Sequence, residues 1–180
     1  IRDRLETLQL KGRYTKYQKT LDAFLFCCYA GMRYSDFVNM KPDNIVEMHQ
    51  ETWLIYKSIK TGTKVRLPLY LLFSGKGILI LNKYQANLQD FFHLRDNSNV
   101  NKELIIIARL AGVAKKVSFH TARHTNATLL IYNGVNITTV QKLLGHKSVK
   151  TTQIYTNVMD ATIISDLEKN HSSVHRKKGK

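Results

Sequence analysis

The sequence contains little cysteine, little proline and no long apolar run, and each shortage excludes a class of protein. Its only two cysteines are the neighbours Cys27 and Cys28, which cannot form a disulfide framework or the paired motif of a zinc site. The longest apolar run, Ala23 to Ala30, has eight residues, far fewer than the roughly 20 needed to span a bilayer. The first residues, Ile1 to Arg4, lack a signal-peptide pattern and an initiator methionine, so we expect an excised fragment. These features predict a soluble domain in a reduced, intracellular setting.

Acidic residues are also scarce. Lys and Arg total 28 against 13 Asp and Glu, which gives a formal charge of +15 in a chain of 180 residues. This excess favours a polyanionic partner, with nucleic acid first and an anionic membrane surface second. Apolar residues make up 43% of the chain, enough to bury one core. The composition therefore predicts a single basic domain.

Apolar periodicity predicts a mainly α fold with a small antiparallel sheet or hairpin (α+β). A central helix begins near Tyr17 and is stopped by Gly31, because its second half is almost wholly apolar. Thr52–Ile59 and Val65–Pro68 are rich in β-branched and aromatic residues and flank a Gly-containing turn. A short helix capped by Ser35 is predicted to end before Lys41-Pro42, and another capped by Asn136 is predicted over Ile137–Leu144 with a stop at Gly145. A loop is predicted around Asp96–Asn99. The remaining helices are predicted around Ile78–Tyr84 and Leu104–Ala111 and over Phe119–Asn133 and Ala161–Lys169.

The most informative segment is F-H-T-A-R-H at 119–124. His120 and Arg123 are three positions apart, so they share a helix face, which continues into Ala127, Leu130 and Ile131. A guanidinium on an apolar face needs an anionic partner. A phosphate, which accepts two parallel hydrogen bonds, and a core carboxylate are both open at this point.

A zinc site at this helix is excluded. His120 and His124 have the spacing of an HExxH helix, but Thr121 stands in place of the glutamate and Arg123 would lie beside the metal. His124 is instead predicted to be a hydrogen-bonded core histidine.

Three shorter pieces gain meaning only together. Arg33 follows the stop of the central helix, with Asp36 three residues on; His146 follows Gly145; and Tyr155 comes nine residues after His146. Taken singly, Arg33 and Asp36 could form a surface ion pair, His146 could cap a helix, and Tyr155 could be a core aromatic.

In combination these motifs resemble the catalytic domain of the tyrosine recombinases, the phage-integrase-like family. The family's order is followed by Arg33 in G-M-R-Y-S-D, Lys60 in K-T-G, His120 and Arg123 in H-T-A-R, His146 in L-G-H, and Tyr155. The resemblance covers about residues 14–169, and the wording of F-H-T-A-R-H-T is most similar to integrases of Bacteroides-group mobile elements. It implies a catalytic domain at 15–170. The polar, basic composition of residues 1–14 predicts the end of a linker, and that of residues 171–180 predicts a disordered basic tail.

The resemblance implies a chemistry as well as a fold. Tyr155 would attack the scissile phosphodiester to form a 3′-phosphotyrosyl link, which conserves the bond energy without ATP or any other cofactor or metal. Arg33 and Arg123 would hold the non-bridging oxygens. Lys60 would protonate the departing 5′-oxygen, with Lys57 and Lys64 as rivals because sequence does not fix hairpin register.

Other site residues also take their roles from the resemblance. His120 would accept the tyrosyl proton or bond the phosphate, and His146 would contact the phosphate. Asp36 and His124 would not contact the phosphate, and would instead orient the residues that do. The segment Ala161–Lys169 would dock either on its own core or on a neighbouring protomer.

The implied partner is double-stranded DNA, bound by a tetramer, with an isolated fragment remaining monomeric. Accessory DNA-bending proteins and a cytoplasmic, nucleoid-associated location in a bacterium fit this assembly. A membrane is excluded because the basic tail is too short for an amphipathic anchor. Two alternatives stay open: a type IB topoisomerase, which rejoins the original strand, and a non-catalytic DNA-binding regulatory module.

Overall fold

A computed structural model of the chain describes residues 1–155. Its helices are α1 (Arg2–Glu6), α2 (Gln18–Ala30), α3 (Tyr34–Val38), α4 (Lys76–Lys83), α5 (Leu88–Phe92), α6 (Asn97–Leu110), α7 (Phe119–Tyr132), α8 (Ile137–Leu144) and α9 (Lys150–Gln153). Its strands are β1 (Ile45–Met48), β2 (Glu51–Lys57) and β3 (Lys64–Pro68), and short 3-10 turns lie at Gly12–Tyr17, Pro42–Asn44, Leu72–Gly75 and Gln85–Asn87. The predicted fold class is confirmed. Within residues 1–155, no helix is both long and apolar enough to cross a lipid bilayer.

Helix α2 forms the centre of the core. All of its residues after the first two are buried, and it packs against α1, α4, α6 and α7. It ends where Gly31 adopts a left-handed conformation and donates its N–H to the carbonyl of Cys27, so the predicted stop is confirmed. Arg33 therefore emerges two residues beyond a fixed helix end.

The sheet has the order β1-β2-β3, and both pairings are antiparallel. Leu54 pairs with Leu67 and Tyr56 with Val65, and all four side chains are buried. The predicted hairpin is thus confirmed. Strand β1 was not predicted, because it is a short, half-buried edge strand whose turn to β2, His49-Gln50, contains none of the usual turn residues.

Two predictions about helix starts are wrong. Arg33, and not Ser35, is the N-cap of α3, and α3 is held in place by Phe37, which packs against the aromatic rings of α2, α5 and α7. Asp96–Asn99 does not form a loop. Asp96 caps α6 by accepting a hydrogen bond from the backbone N–H of Asn99, so this polar cluster is a helix start.

The helices α7 and α8 lie where they were predicted. Helix α7 begins at Phe119 after the Ser118 cap. In α8, Asn136 accepts from the N–H of Thr138, and Gly145 ends the helix in the left-handed region. This sets His146 directly after a fixed turn.

Residues 1–14, predicted as the end of a linker, contain α1, whose Leu5 is buried against the core. Glu6 forms two ion pairs: its Oε1 lies 2.9 Å from Nε of Arg2, and its Oε2 lies 2.6 Å from Nζ of Lys76. The predicted helix Ala161–Lys169 and the predicted tail at 171–180 lie outside the described residues.

Gly145→Ala is expected to lower the free energy of unfolding by about 2–3 kcal/mol. Gly145 has φ of +62°, and a Cβ atom there would lie 2.7 Å from Cγ2 of Val65, which is fully buried in β3. The left-handed backbone and the clash each contribute to the loss, which chemical denaturation measures.

Gly12→Ala is the matched control. Gly12 also has a left-handed φ, +56°, but a Cβ atom there meets nothing within 4 Å, so only the backbone cost of about 1 kcal/mol is expected. Equal losses in the two variants would contradict the close packing of α8 against β3.

Candidate active site

Arg123 lies buried on α7, with only 1% of its surface exposed. Its Nη1 donates to the carbonyl of Gly31 at 2.7 Å and its Nη2 to that of Leu144 at 2.6 Å. Both acceptors lie at helix C-terminal ends, where the helix dipole is negative. Burial, together with the charge of Arg33, lowers the pKa of Arg123 to about 10. The guanidinium is therefore held by backbone dipoles. Its other three N–H groups have no hydrogen-bond partner among residues 1–155 and are available to an anion.

Arg33 lies beside a buried carboxylate. Its Nη1 donates to Oγ of Ser58 at 3.1 Å and lies 3.6 Å from Oδ2 of Asp36. Asp36 also accepts from Oγ of Ser58 at 3.2 Å and from the backbone N–H of Ile59 at 2.8 Å. Asp36 thus connects Arg33 to the β2–β3 turn.

That turn brings Lys60 to the same place. Lys60, Arg33 and His120 line a depression of about 280 Å³ together with Asn97. The rivals Lys57 and Lys64 pair with each other across the hairpin and are exposed. Lys57 directly follows the buried Tyr56, and Lys64 directly precedes the buried Val65. Successive side chains of a strand point to opposite faces, so both lysines lie on the face of the sheet away from the core. Of the three lysines, the structure brings Lys60 next to Arg33 and His120.

Two histidines of α7 and Tyr155 form a chain of neighbouring rings. The ring centroids of His120 and His124 are 4.4 Å apart, and those of His124 and Tyr155 are 5.3 Å apart. His124 was predicted to lie in the core, and it is instead half-buried with its ring edge-on to Tyr155. Burial and nearby positive charge lower the pKa of both histidines, so both are neutral near pH 7 and able to accept a proton.

His146 is oriented by the turn that follows α8. Its Nδ1 shares a hydrogen bond of 2.9 Å with Oγ1 of Thr152, and its carbonyl accepts from Nε2 of Gln141 at 3.1 Å. Burial and the charges of Arg123 and Arg33 lower its pKa to about 4. The ring is therefore neutral at pH 7 and is held by Thr152 where the charges of both arginines act on it.

Tyr155 follows α9 and is 5% exposed. Burial raises the pKa of its phenol, while Arg123 and Arg33 oppose this rise. The hydroxyl is thus protonated at neutral pH and lies within the field of both arginines. A reaction at this oxygen requires a proton acceptor, and the neutral ring of His124, which lies against that of Tyr155, is one candidate.

The sequence profile described as the phage integrase family matches residues 6–162 of the chain. The chain belongs to this family. The matched segment contains every residue of the candidate site, from Arg33 to Tyr155.

Relatives in the family are recombinases. Tyrosine recombinase XerC of Rickettsia bellii is 31% identical over 163 residues, which cover 85% of this chain and 50% of that protein. The crystal structure of XerA recombinase aligns with a TM-score of 0.70 and 25% identity over 94% of this chain and 62% of XerA. XerH bound to its palindromic difH substrate in a post-cleavage complex shares the fold, with a TM-score of 0.66 and 19% identity over 95% of this chain and 49% of that protein. The chain spans about half the length of the curated relatives it matches.

Several side chains at this phage-integrase-family site were not found from sequence. Ser58 lies between Arg33 and Asp36, and Thr152 orients His146. The Tyr56 hydroxyl is buried with no hydrogen-bond partner among residues 1–155. The fourth side chain is Asn126, which donates hydrogen bonds to backbone carbonyls at the end of α2. It lies three positions after Arg123, so helical spacing would have placed it on the same face of α7 as Arg123. The other three are placed by tertiary contacts and leave no local sequence signal.

Low pH is expected to destabilise this family member through His146. Its pKa is about 4 in the fold, against 6.5 for an unperturbed histidine, so between these values the folded state binds fewer protons than the unfolded state. The free energy of unfolding is therefore at its full value above about pH 6.5 and falls as the pH is lowered towards 4. The loss is on the order of 2 kcal/mol, and His120 and His124 add to it in the same direction.

Denaturation at about pH 7 and pH 4.5 measures this loss. His146→Gln should lose less stability between the two values than the wild type, whereas His49→Gln, at the exposed β1–β2 turn, should lose as much. Equal losses in the wild type and His146→Gln would contradict the assignment.

Proposed function

We propose that the chain is the catalytic domain of a site-specific DNA recombinase. The phenol oxygen of Tyr155 attacks the scissile phosphorus, the bond from phosphorus to the 5′-oxygen breaks, and a 3′-phosphotyrosyl link forms. Lys60 gives its proton to the departing 5′-oxygen, and a histidine of α7 takes the proton of the phenol. A 5′-hydroxyl from another strand then attacks the link, so the tyrosine is released and the number of phosphodiester bonds is unchanged.

One observation carries this proposal. Tyr155 is buried, and the positive charges of Arg123 and Arg33 act on its phenol. The described carboxylate beside Arg33, Asp36, is already engaged by Arg33, Ser58 and Ile59. Buried positive charge without an equal number of anions is costly. A phosphodiester supplies the missing negative charge, and its phosphorane-like transition state supplies more. The cluster is therefore suited to stabilise the transition state for attack by Tyr155.

The double-stranded DNA partner fits the formal charge of +15. The family resemblance supports assembly as a tetramer on two recombining sites, help from DNA-bending proteins and a nucleoid location in a bacterium. The amino-acid sequence of residues 119–125, F-H-T-A-R-H-T, supports an origin in a Bacteroides-group mobile element.

The test is a covalent trap. The protein, with its complete natural sequence, is incubated with a randomised pool of nicked duplexes, in which the short cleaved strand diffuses away and religation fails. We expect SDS-stable adducts linked through a 3′-phosphate to Tyr155, located by mass spectrometry. An adduct on another residue would overturn the assignment of Tyr155 as the nucleophile. Tight DNA binding without any adduct would overturn the proposal and favour a regulatory module. Sequencing of the trapped DNA identifies the preferred site.

A second assay separates recombination from topoisomerase activity. The identified site is placed on two plasmids of different size. We expect joint molecules between them, which require strand exchange. Relaxation of supercoils without joint molecules would contradict the recombinase assignment and favour a type IB topoisomerase.

A further inference from the structure

Two side chains of α7 cap the C-terminal end of α2. Nδ2 of Asn126 donates to the carbonyls of Cys28 at 3.0 Å and Tyr29 at 2.9 Å, and Nη1 of Arg123 donates to that of Gly31. The last carbonyls of a helix have no intrahelical partner. Asn126 therefore supplies hydrogen bonds to two carbonyls at the end of α2 that have no partner within the helix.

Asn126 and Arg123 are three positions apart, so they share one face of α7. Both are buried, at 2% and 1% exposure, and the space between them and α2 is full. A Cβ atom on Gly31 would lie 2.6 Å from Oδ1 of Asn126. The amide of Asn126 therefore fixes how far the end of α2 stands from α7, the same gap that Arg123 bridges to reach Gly31.

The end of α2 also sets the start of α3. Arg33 is the N-cap of α3, two residues after Gly31, so the contact between Asn126 and the end of α2 also constrains where Arg33 lies relative to Arg123. We propose that Asn126 is a positioning residue, which holds Arg33 and Arg123 at the spacing needed to bind the two non-bridging oxygens of one phosphate. Asn126 acts through the arginines and does not touch DNA. The inference rests on the proposed function for its kinetic part.

Asn126→Leu removes the amide while keeping a side chain of similar volume. The cleavage rate at saturating DNA should fall about 30–100-fold, because a small misplacement of catalytic groups is costly. The Kd for DNA should change less than about 3-fold, since phosphate contacts elsewhere supply most of the affinity. The matched control is Asn44→Leu. Asn44 also donates to a backbone carbonyl, that of Ile55 at 2.9 Å, but contacts neither arginine, and its loss should leave cleavage unchanged.

A methylphosphonate at the scissile position separates positioning from general damage. A methyl group in place of one non-bridging oxygen removes the negative charge, so two well-placed arginines are no longer required. The deficit of Asn126→Leu relative to the wild type should then shrink to about 3-fold or less. A deficit of equal size on both substrates would mean that the residue only supports the fold, and would overturn the proposal.

Nitrogen NMR of the DNA-free protein tests positioning without any cleavage. Because Nη1 and Nη2 of Arg123 are bound to fixed carbonyls, we expect slow rotation of the guanidinium and separate Nη signals, which Arg123→Lys identifies. The signals should merge in Asn126→Leu and stay separate in Asn44→Leu. Unchanged signals in Asn126→Leu would overturn the inference, whereas a wild-type protein that forms no DNA adduct would overturn only the proposed function.

Discussion

Tyr155→Phe is expected to abolish DNA cleavage, with a loss of at least about 10⁴-fold in the rate of adduct formation. The substitution removes only the nucleophilic oxygen. The aromatic ring stays, and with it the edge-on contact with His124, so the fold and the arginines are undisturbed. The measurement is the SDS-stable adduct on the site identified by the covalent trap.

DNA affinity supplies the internal check, because it does not depend on the attacking oxygen. Fluorescence anisotropy should give a Kd for Tyr155→Phe within about 2-fold of the wild type. The matched variant is Tyr132→Phe at the exposed end of α7, where the residue is 60% exposed, and it should cleave normally. Adduct formation by Tyr155→Phe would remove Tyr155 from the site.

Arg123→Lys should slow cleavage by about 10²–10³-fold, although the positive charge is kept. The planar guanidinium donates to Gly31 and Leu144 from two different nitrogens, and in the proposed mechanism its other N–H groups bind the phosphate. A lysine has a single nitrogen, which cannot satisfy both carbonyls and also make paired bonds to one phosphate. The loss appears in single-turnover rates at saturating DNA.

The same substitution should lower the free energy of unfolding by about 1–3 kcal/mol, since one buried carbonyl loses its partner. Rates are therefore compared at a temperature where denaturation shows the variant to be fully folded. Arg109→Lys, at an exposed position of α6, controls for the loss of a guanidinium as such and should be neutral. Near-wild-type cleavage by Arg123→Lys would show that Arg123 does not bind the scissile phosphate.

Local signals predicted much of the fold. Helix α2 follows from its apolar second half and Gly31, and α8 follows from the Asn136 cap and Gly145. Strand β1 and the start of α6 could not be predicted in this way. The first has a weak pattern and a turn without glycine, and the second begins with a polar cluster whose capping role depends on the hydrogen bond from Asn99 to Asp96.

The candidate site shows a different limit. The family resemblance supplied Arg33, Lys60, His120, Arg123, His146 and Tyr155, and helical spacing alone supplied only the shared face of His120 and Arg123. The choice of Lys60 over Lys57 and Lys64 needed the hairpin register. The partners of Arg123 also needed coordinates, because they are backbone carbonyls, which every residue carries and no sequence pattern distinguishes.

Those carbonyl partners affect which substitutions the site tolerates. A bond to a side chain is lost when that side chain mutates, whereas the bonds from Arg123 and Asn126 end on the backbone of Cys28, Tyr29, Gly31 and Leu144. Of these four positions, only Gly31 is restricted by its left-handed φ of +66°. The others are free to exchange one apolar side chain for another of similar volume while the capping bonds persist. Saturation mutagenesis of this region should therefore find wide apolar variation at 28, 29 and 144 next to almost none at 31, 123 and 126, so that the core can diverge during evolution without altering the catalytic geometry.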